Sequence, residues 1–415
     1  MRVLLVSQFF APVTGGEERI VEDLGEELRR RGHHVAIATT SRPSSGPSPQ
    51  ESGVHRIHTL VGRIPLLHSD DQRRHSPPFP DPGAVRDLRR VIEIERPDVI
   101  HAHNWLVHSA VAAAARRPLV LTLHDYGLVC ANKRLTRFNE ACSGPGPVRC
   151  LRCSAEHYGP LKGVATALSL RARSSAVRDA ISMFLPVSRA VAHRSGLAAA
   201  GLPYEIIPNF VSDDLIAGRD SGGAAPLGLP HGDFLVFAGD VTYDKGIGPL
   251  LGAYALLQNA PPLVLAGRIL TNRDDLERPG IIVMGPRSHG ELMEIFRRSL
   301  GVIVPSLWSE PFGLVALEAM AVVRPVVASS VGGLVDIGED GVTGLLTPPG
   351  DEAALAAAMS RLIRSPELRA EFGRAGAIRS ADFSGRVIVP RIEAVYRRLC
   401  SGRGSTVDSL SSAVS

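Results

Sequence analysis

The sequence predicts an α/β protein made of two doubly wound parallel-sheet domains. Three observations lead there. Short apolar runs alternate with helical stretches from one end of the chain to the other, the pattern of parallel sheets covered by helices on both faces. The pattern breaks once, at Asp213–Gly232, where Gly, Ala and Pro cluster as they do in linkers. The length of 415 residues suits two or three domains of ordinary size, and a hydrophobic content of 44% is enough to fill their cores.

The elements follow in order. Val3–Ser7 is an apolar run that reads as a first strand. Met1–Val6 also has the charge and apolar core of a very short leader, but a Gly-Gly loop and an amphipathic helix follow directly, which favours the strand. The first half continues with a helix over Glu17–Arg31, a strand over Val35–Thr39, a Pro/Ser-rich loop and a strand over His55–Leu60. A polar, Pro-rich stretch from Leu67 to Gly83 is expected to be mobile. Then come a helix over Ala84–Glu95, a strand over Asp98–His101, a helix over Val107–Ala115 and a strand over Leu119–Leu123. Tyr126–Tyr158 reads as an irregular insert with four cysteines. A basic helix over Lys162–Ser182, a strand over Met183–Val187, a helix over Arg189–Ala198 and a strand over Glu205–Ile207 close this half.

Beyond the linker the alternation resumes. Strands are expected over Phe234–Ala238, Leu263–Ala266, Ile281–Met284, Val302–Pro305 and Val326–Ala328. Helices are expected over Gly246–Leu257, His289–Ser299 and Gly313–Val322, and from Asp351 on, with a last one near Arg386–Leu399. The domains are therefore placed at 1–212 and 233–385, joined by a linker over 213–232, with a helix over 386–400 and a disordered Ser/Gly-rich tail over 401–415.

The net charge of +4 is mildly basic. It suits anionic small ligands or loose contact with an acidic membrane surface, and is too weak to argue for nucleic acid. No apolar run reaches the length that spans a bilayer. A cytoplasmic location is expected.

The segment Ser309–Glu318 carries the most chemistry. It sets Glu310 and Glu318 eight positions apart, with Pro311, Phe312 and Gly313 opening a helix between them. Free N–H groups at a helix start attract anions, and the helix dipole adds to this. A phosphate could sit at Gly313–Leu314, with Glu318 roughly 7 Å further along the axis at ~1.5 Å per residue. Carboxylates flanking a phosphate site make sense where they bind neutral hydroxyls, as in a sugar nucleotide. The competing reading is a surface helix with one capping and one solvated glutamate.

This segment resembles the E-x7-E signature of the retaining family 4 glycosyltransferases, and the resemblance extends over nearly the whole chain. It implies the GT-B fold, two facing Rossmann-like domains, with the last helix packing back on the first. It implies that Glu310 contacts hydroxyls of the donor sugar and Glu318 the nucleotide ribose, with Phe312, Gly313 and Leu314 lining the donor site. Gly15 and Gly16 match the family's Gly-Gly after the first strand, which closes over the donor phosphates. Lys245 matches the lysine of the donor loop G-R-x4-K-G, but Asp240 stands where the family usually has arginine. Either another cation compensates, with Arg287 and Arg268 as candidates, or Asp240 turns away. His124, followed by Asp125 and Tyr126, matches the histidine close to the reacting carbon. His101 and His103 near a neighbouring strand end, with Asp125, are acceptor-side candidates; hydrogen-bonded loop histidines are the equal alternative.

The implied reaction moves a sugar from a nucleotide diphosphate donor to an acceptor hydroxyl or amine, with retention. Lys245, Glu310 and His124 are the expected catalytic residues. No D-x-D motif occurs, so no catalytic metal is expected. Cys130, Cys142, Cys150 and Cys153 form C-x11-C-x7-C-x2-C, which suits a structural zinc; unligated thiols, redox activity and disulfides are the alternatives. The acceptor is open: a glycan, a lipid-linked intermediate or a natural product. The rival functions are a sugar-nucleotide 2-epimerase and a non-catalytic sugar-nucleotide-binding protein. The basic helix over Lys162–Ser182 could contact a membrane, against the reading of a solvated face.

Overall fold

A computed structural model of the chain describes residues 1–11, 15–41, 52–61, 76–137, 140–219 and 228–401. Most of the stretch expected to be mobile, the Pro/Ser-rich loop, the middle of the linker and the expected disordered tail from residue 402 lie outside these residues. The chain forms two compact units. The first comprises Met1–Arg134, Ser143–Pro208 and the chain from Ile388; the second comprises Leu135–Cys142 and Asn209–Val387.

In the first unit, β1 (Arg2–Ser7) leads through α1 (Gly16–Arg30) to β2 (His34–Thr39) and β3 (Val54–Arg56), and α2 (Pro82–Glu95) leads to β4 (Val99–His103). Next come α3 (Val107–Ala113) and β5 (Leu119–Leu123). The chain then passes through a two-stranded ribbon, β6 (Thr136–Arg137) and β7 (Glu140–Ala141), grouped with the second unit. It returns through α4 (Pro147–Tyr158), α5 (Pro160–Ala180), β8 (Met183–Pro186) and α6 (Arg189–Arg194). The sheet is parallel throughout, in the order β3-β2-β1-β4-β5-β8. This is the doubly wound order, whose ligands bind beyond the carboxyl ends of the strands. Val3 stands opposite Val35 on one side and Val99 on the other. Strands such as β4 and β5 are buried along their whole length, which is why they read as unbroken apolar runs.

The insert after β5 is more regular than the sequence suggests, because it contains the ribbon and α4. α4 buries only Ser154, so no apolar stripe announces it. Its partner is α5, and the two cross closely at Gly163. A Cβ on Gly163 would overlap the Ser154 carbonyl, and Ser154 Oγ donates to the Gly163 carbonyl at 2.7 Å. The strand expected over Glu205–Ile207 is only an isolated bridge, Phe184 with Tyr204.

The second unit opens with α7 (Asp213–Ile216), then β9 (Leu235–Ala238), α8 (Ile247–Ala255), β10 (Leu263–Ala266), β11 (Ile281–Gly285), α9 (His289–Arg298) and β12 (Gly301–Val304). It continues with α10 (Leu314–Ala321), β13 (Val326–Ser329), α11 (Leu334–Ile337), β14 (Gly344–Thr347), α12 (Glu352–Arg364) and α13 (Pro366–Ser380). Its parallel sheet runs β11-β10-β9-β12-β13-β14, the same doubly wound order. The sequence reading passes over β14, a four-residue edge strand beside β13.

The last helix, α14 (Gly385–Ser401), belongs to the first unit from Ile388 on. Glu393 on α14 is buried and accepts from Arg31 Nε at 2.8 Å while its other oxygen faces His33. Burial pushes this carboxyl's pKa up, but the bonds from Arg31 and His33 outweigh it and hold it low.

Candidate active site

In the second unit the carboxyl ends of β9 and β12 bring two loops together. The loop after β9 carries Lys245 and ends at Gly246, which caps α8 with φ 81°. A side chain at Gly246 would overlap the Pro305 carbonyl just beyond β12, so glycine alone permits this approach. The Asp244 carbonyl accepts from Leu307 N at 2.9 Å and ties the loops further. Lys245 Nζ thereby reaches Glu310, donating to Oε1 at 2.7 Å and Oε2 at 3.0 Å. Ser306 Oγ donates to Glu310 Oε2 at 2.9 Å. Lys245 also lies 5.1 Å from the ring centre of Trp308.

Glu310 precedes α10, whose cap is Gly313 in the left-handed region at φ 105°. Phe312 is buried under this turn at 3% exposure. Ala316 N bonds to the Gly313 carbonyl, so Leu314 sits among the open N–H groups of a helix start. Gly332 and Gly333 pack against this segment; a Cβ on either would overlap the backbone of residues 309–312, and Gly333 N donates to the Glu310 carbonyl at 2.7 Å. Glu318, one turn into α10, is 3% exposed and lies 3.4 Å from His289 Nε2 at the start of α9.

The aspartate at the family's arginine position has a partner. Arg268, just after β10, grips Asp240 with two bonds, Nε to Oδ1 at 2.9 Å and Nη2 to Oδ2 at 2.7 Å. Arg287 folds onto its own loop, donating to the Met284 carbonyl at 2.7 Å and standing 3.6 Å from Glu291. Ser306, Trp308 and His289 were not singled out from the sequence; only Ser306 and Trp308, inside the segment leading to Glu310, carried a signal of position.

In the first unit His124 and Asp125 follow β5 and line a pocket with Glu17, Trp105 and His108, covered by Leu170, Ser174 and Val177 of α5. Asp125 Oδ1 accepts from Gly127 N at 2.6 Å and so shapes the turn. His124 Nε2 meets His103 Nδ1 at 2.9 Å, with the rings stacked. His103 is 1% exposed, and burial first, then His101 and His124, push its pKa well down. His101 does not line the pocket: it is fully buried, with Nδ1 2.6 Å from Tyr396 Oη and Nε2 2.7 Å from Thr122 Oγ1. Burial, with His124 second, brings its pKa to about 3. His108, absent from the sequence reading, lies at about 4 through burial, Arg173 and Lys133. Gly15 caps α1 in an extended conformation at φ −176°, so the Gly15–Gly16 pair needs no left-handed backbone here. Pro12–Thr14 lie outside the described residues.

Of the four cysteines of the insert, Cys130, Cys150 and Cys153 lie in the first unit and Cys142 in the second. Cys130 Sγ donates to Asn132 Oδ1 at 2.8 Å, Asn132 Nδ2 stands 3.7 Å from Cys153 Sγ, and Cys150 Sγ accepts from Gly146 N at 3.2 Å. Cys142 N donates to the Leu135 carbonyl at 2.7 Å, which fixes that residue through the ribbon. Among the described residues no three His, Cys, Asp or Glu side chains are placed to hold a metal ion. Asn132 thus lies between Cys130 and Cys153.

Comparison with known proteins decides the family. A family model described as "Glycosyltransferase Family 4" matches residues 14–215, and one described as "Glycosyl transferases group 1" matches residues 227–379. The chain is 34% identical over 329 residues to a D-inositol 3-phosphate glycosyltransferase of Catenulispora acidiphila, covering 74% of this chain and 73% of that protein. The chain belongs to the family 4-type glycosyltransferases. This glycosyltransferase is also 29% identical over 433 residues to a glycogen synthase of Mycobacterium tuberculosis, covering 97% of this chain and 96% of that one. In fold it is similar to sucrose-phosphate synthase from Thermosynechococcus elongatus, with a TM-score of 0.71 at 22% identity over 96% of this chain and 99% of that one. Anabaena HepE, solved in complex with UDP and glucose, gives 0.66 at 21% identity over 95% of this chain and 99% of that one. The enzyme is thus a sugar transferase with the GT-B fold.

Proposed function

We propose that this glycosyltransferase transfers a sugar, with retention, from a nucleotide diphosphate sugar to a hydroxyl or amine of its acceptor. The observation that carries the reading is the Lys245–Glu310–Ser306 cluster at the opening of α10. It sets a cation, a positioned carboxylate and open helix-start N–H groups at the carboxyl end of one sheet. Lys245 takes up the charge of the departing diphosphate, together with the amides of Gly313 and Leu314. Glu310, released from Lys245 as the phosphates arrive, accepts from hydroxyls of the donor sugar. Glu318, held near His289, accepts from the ribose, and Phe312 supports the turn between them. Gly15 and Gly16, which match the family's glycine pair, are the donor-binding candidates of the first unit. Arg287 is a second cation for the diphosphate, once it leaves its own loop.

His124 is the catalytic candidate of the first unit, and the pocket it lines receives the acceptor, with Asp125 in the same wall and His103 behind His124. Catalysis then rests on positioning and preorganised charge, with same-face attack in which the departing phosphate helps to accept the acceptor proton. The setting we propose is the cytoplasm.

The first test is a thermal-shift panel of UDP-, GDP-, ADP- and dTDP-sugars, followed by acceptor trials and NMR of the product's anomeric configuration. The expected result is stabilisation by one nucleotide class and a product that keeps the donor configuration. An inverted product removes the retaining reading, and conversion of donor alone to its 2-epimer assigns the epimerase. Lys245→Ala should lower kcat by roughly 10²–10³-fold. Unchanged turnover would take Lys245 out of the leaving-group role.

A further inference from the structure

The outer face of α5 has no role in the site described above, yet its composition is specific. Leu161 is 89% exposed, Val164 37% and Leu168 51%. Ala165 and Ala172 are exposed beside them. At 3.6 residues per turn these five positions fall within a sector of about 100°. Lys162 and Arg173 border that sector on one side, Arg171 and Arg178 on the other. The opposite face buries Gly163, Leu170 and Val177. Exposed Asp179 falls in the same sector in the last turn, so the apolar face with cations along both borders runs over Leu161–Ala172.

Charge is concentrated in the same place. Pro147–Ala180 contains six Lys and Arg against two Asp and Glu, a surplus of four that equals the net charge of the whole chain. Val148 on α4 is a further 62% exposed apolar side chain. No helix among the described residues is long and apolar enough to cross a membrane, so any lipid contact here is made from the surface.

We propose that the outer face of α5 docks on an anionic lipid bilayer, with Leu161, Val164 and Leu168 in the headgroup region and the four bordering cations on the lipid phosphates. Each Lys or Arg close to such a surface strengthens binding about fivefold, and the leucines supply the apolar part that interfacial helices require. The inner face of the same helix, through Leu170, Ser174 and Val177, covers the pocket at His124. One helix therefore joins the membrane surface to the acceptor side of the site. Resting on the proposed acceptor role of that pocket, this points to an acceptor carried on a membrane lipid.

The test is co-sedimentation of the full chain with phosphatidylglycerol/phosphatidylcholine vesicles and with phosphatidylcholine vesicles, at low and high salt. Binding should be at least tenfold stronger to the anionic vesicles and should weaken with salt. Leu161→Asp/Leu168→Asp should lose about tenfold, and Arg171→Glu severalfold, with the thermal shift given by the nucleotide sugar unchanged. Absence of vesicle binding, or binding that both variants leave intact, overturns the proposal. A concentration-dependent dimer that Leu161→Asp/Leu168→Asp dissolves also overturns it and assigns the face to a second copy of the chain. Because donor binding is read separately, failure of docking and failure of the donor reading are distinguishable.

Discussion

Asp240 would repel a diphosphate if it stood alone, and Arg268 is what cancels it. The pair is partly exposed, at 30% and 37%, so its contribution to stability is small and its value lies in the local field. Arg268→Ala should therefore raise the donor KM about tenfold while shifting Tm little, and Asp240→Asn in the same chain should recover most of that loss. If the double variant binds donor no better than Arg268→Ala, the aspartate is not the source of the defect. The buried imidazoles give a second expectation at this scale. His101, His103 and His108 titrate far below the value near 6.5 of an unfolded chain, burial being the leading cause for each. Above that value both states are neutral and the three groups carry no penalty. As pH falls below it, the unfolded chain binds protons that the folded one refuses. Stability should then drop between about pH 6.5 and 4, by up to roughly 1.4 kcal/mol per pH unit for each imidazole. Urea unfolding at pH 7, 6 and 5 measures the slope, which His108→Asn should flatten. An unchanged slope would remove His108 from the account.

The close crossing of α4 and α5 hangs on one residue. Gly163→Ala should cost about 1–3 kcal/mol, because the new methyl meets a backbone carbonyl that cannot rotate away. Hydrogen exchange should show the loss confined to the two helices; a global loss without local exposure would contradict this. That crossing also marks what the sequence could convey. Val3–Ser7, Leu119–Leu123 and Leu263–Ala266 were readable nearly to the residue because burial on both faces demands continuous apolar runs. α4 was not, since it packs through a serine and a glycine rather than an apolar stripe. β14 was missed because an edge strand of four residues is too short to show a period. In the site, Lys245 and Glu310 were readable from their local motifs. The contacts of Ser306 with Glu310 and of His289 with Glu318 were set by the fold, and of the two candidate cations only the fold shows that Arg268 is the one that meets Asp240; no spacing along the chain encodes a contact between different loops.

At the scale of the molecule, two sheets of identical strand order are built by one chain, and the last helix belongs to the first of them from Ile388 on. Tyr396 is fully buried, and its hydroxyl meets His101 on β4. Tyr396→Phe should cost about 1–3 kcal/mol, since His101 Nδ1 is left buried without a bond. Equilibrium denaturation followed in the first unit reads this, and an unchanged midpoint would show that the pair contributes nothing. The same contact sets a calendar for biosynthesis. The strands of the first unit leave the ribosome before α14, so the socket for Tyr396 and Glu393 stays open until that helix has been made. The unit begun first is therefore sealed only after the second has been made, and a growing chain carries that groove until α14 emerges.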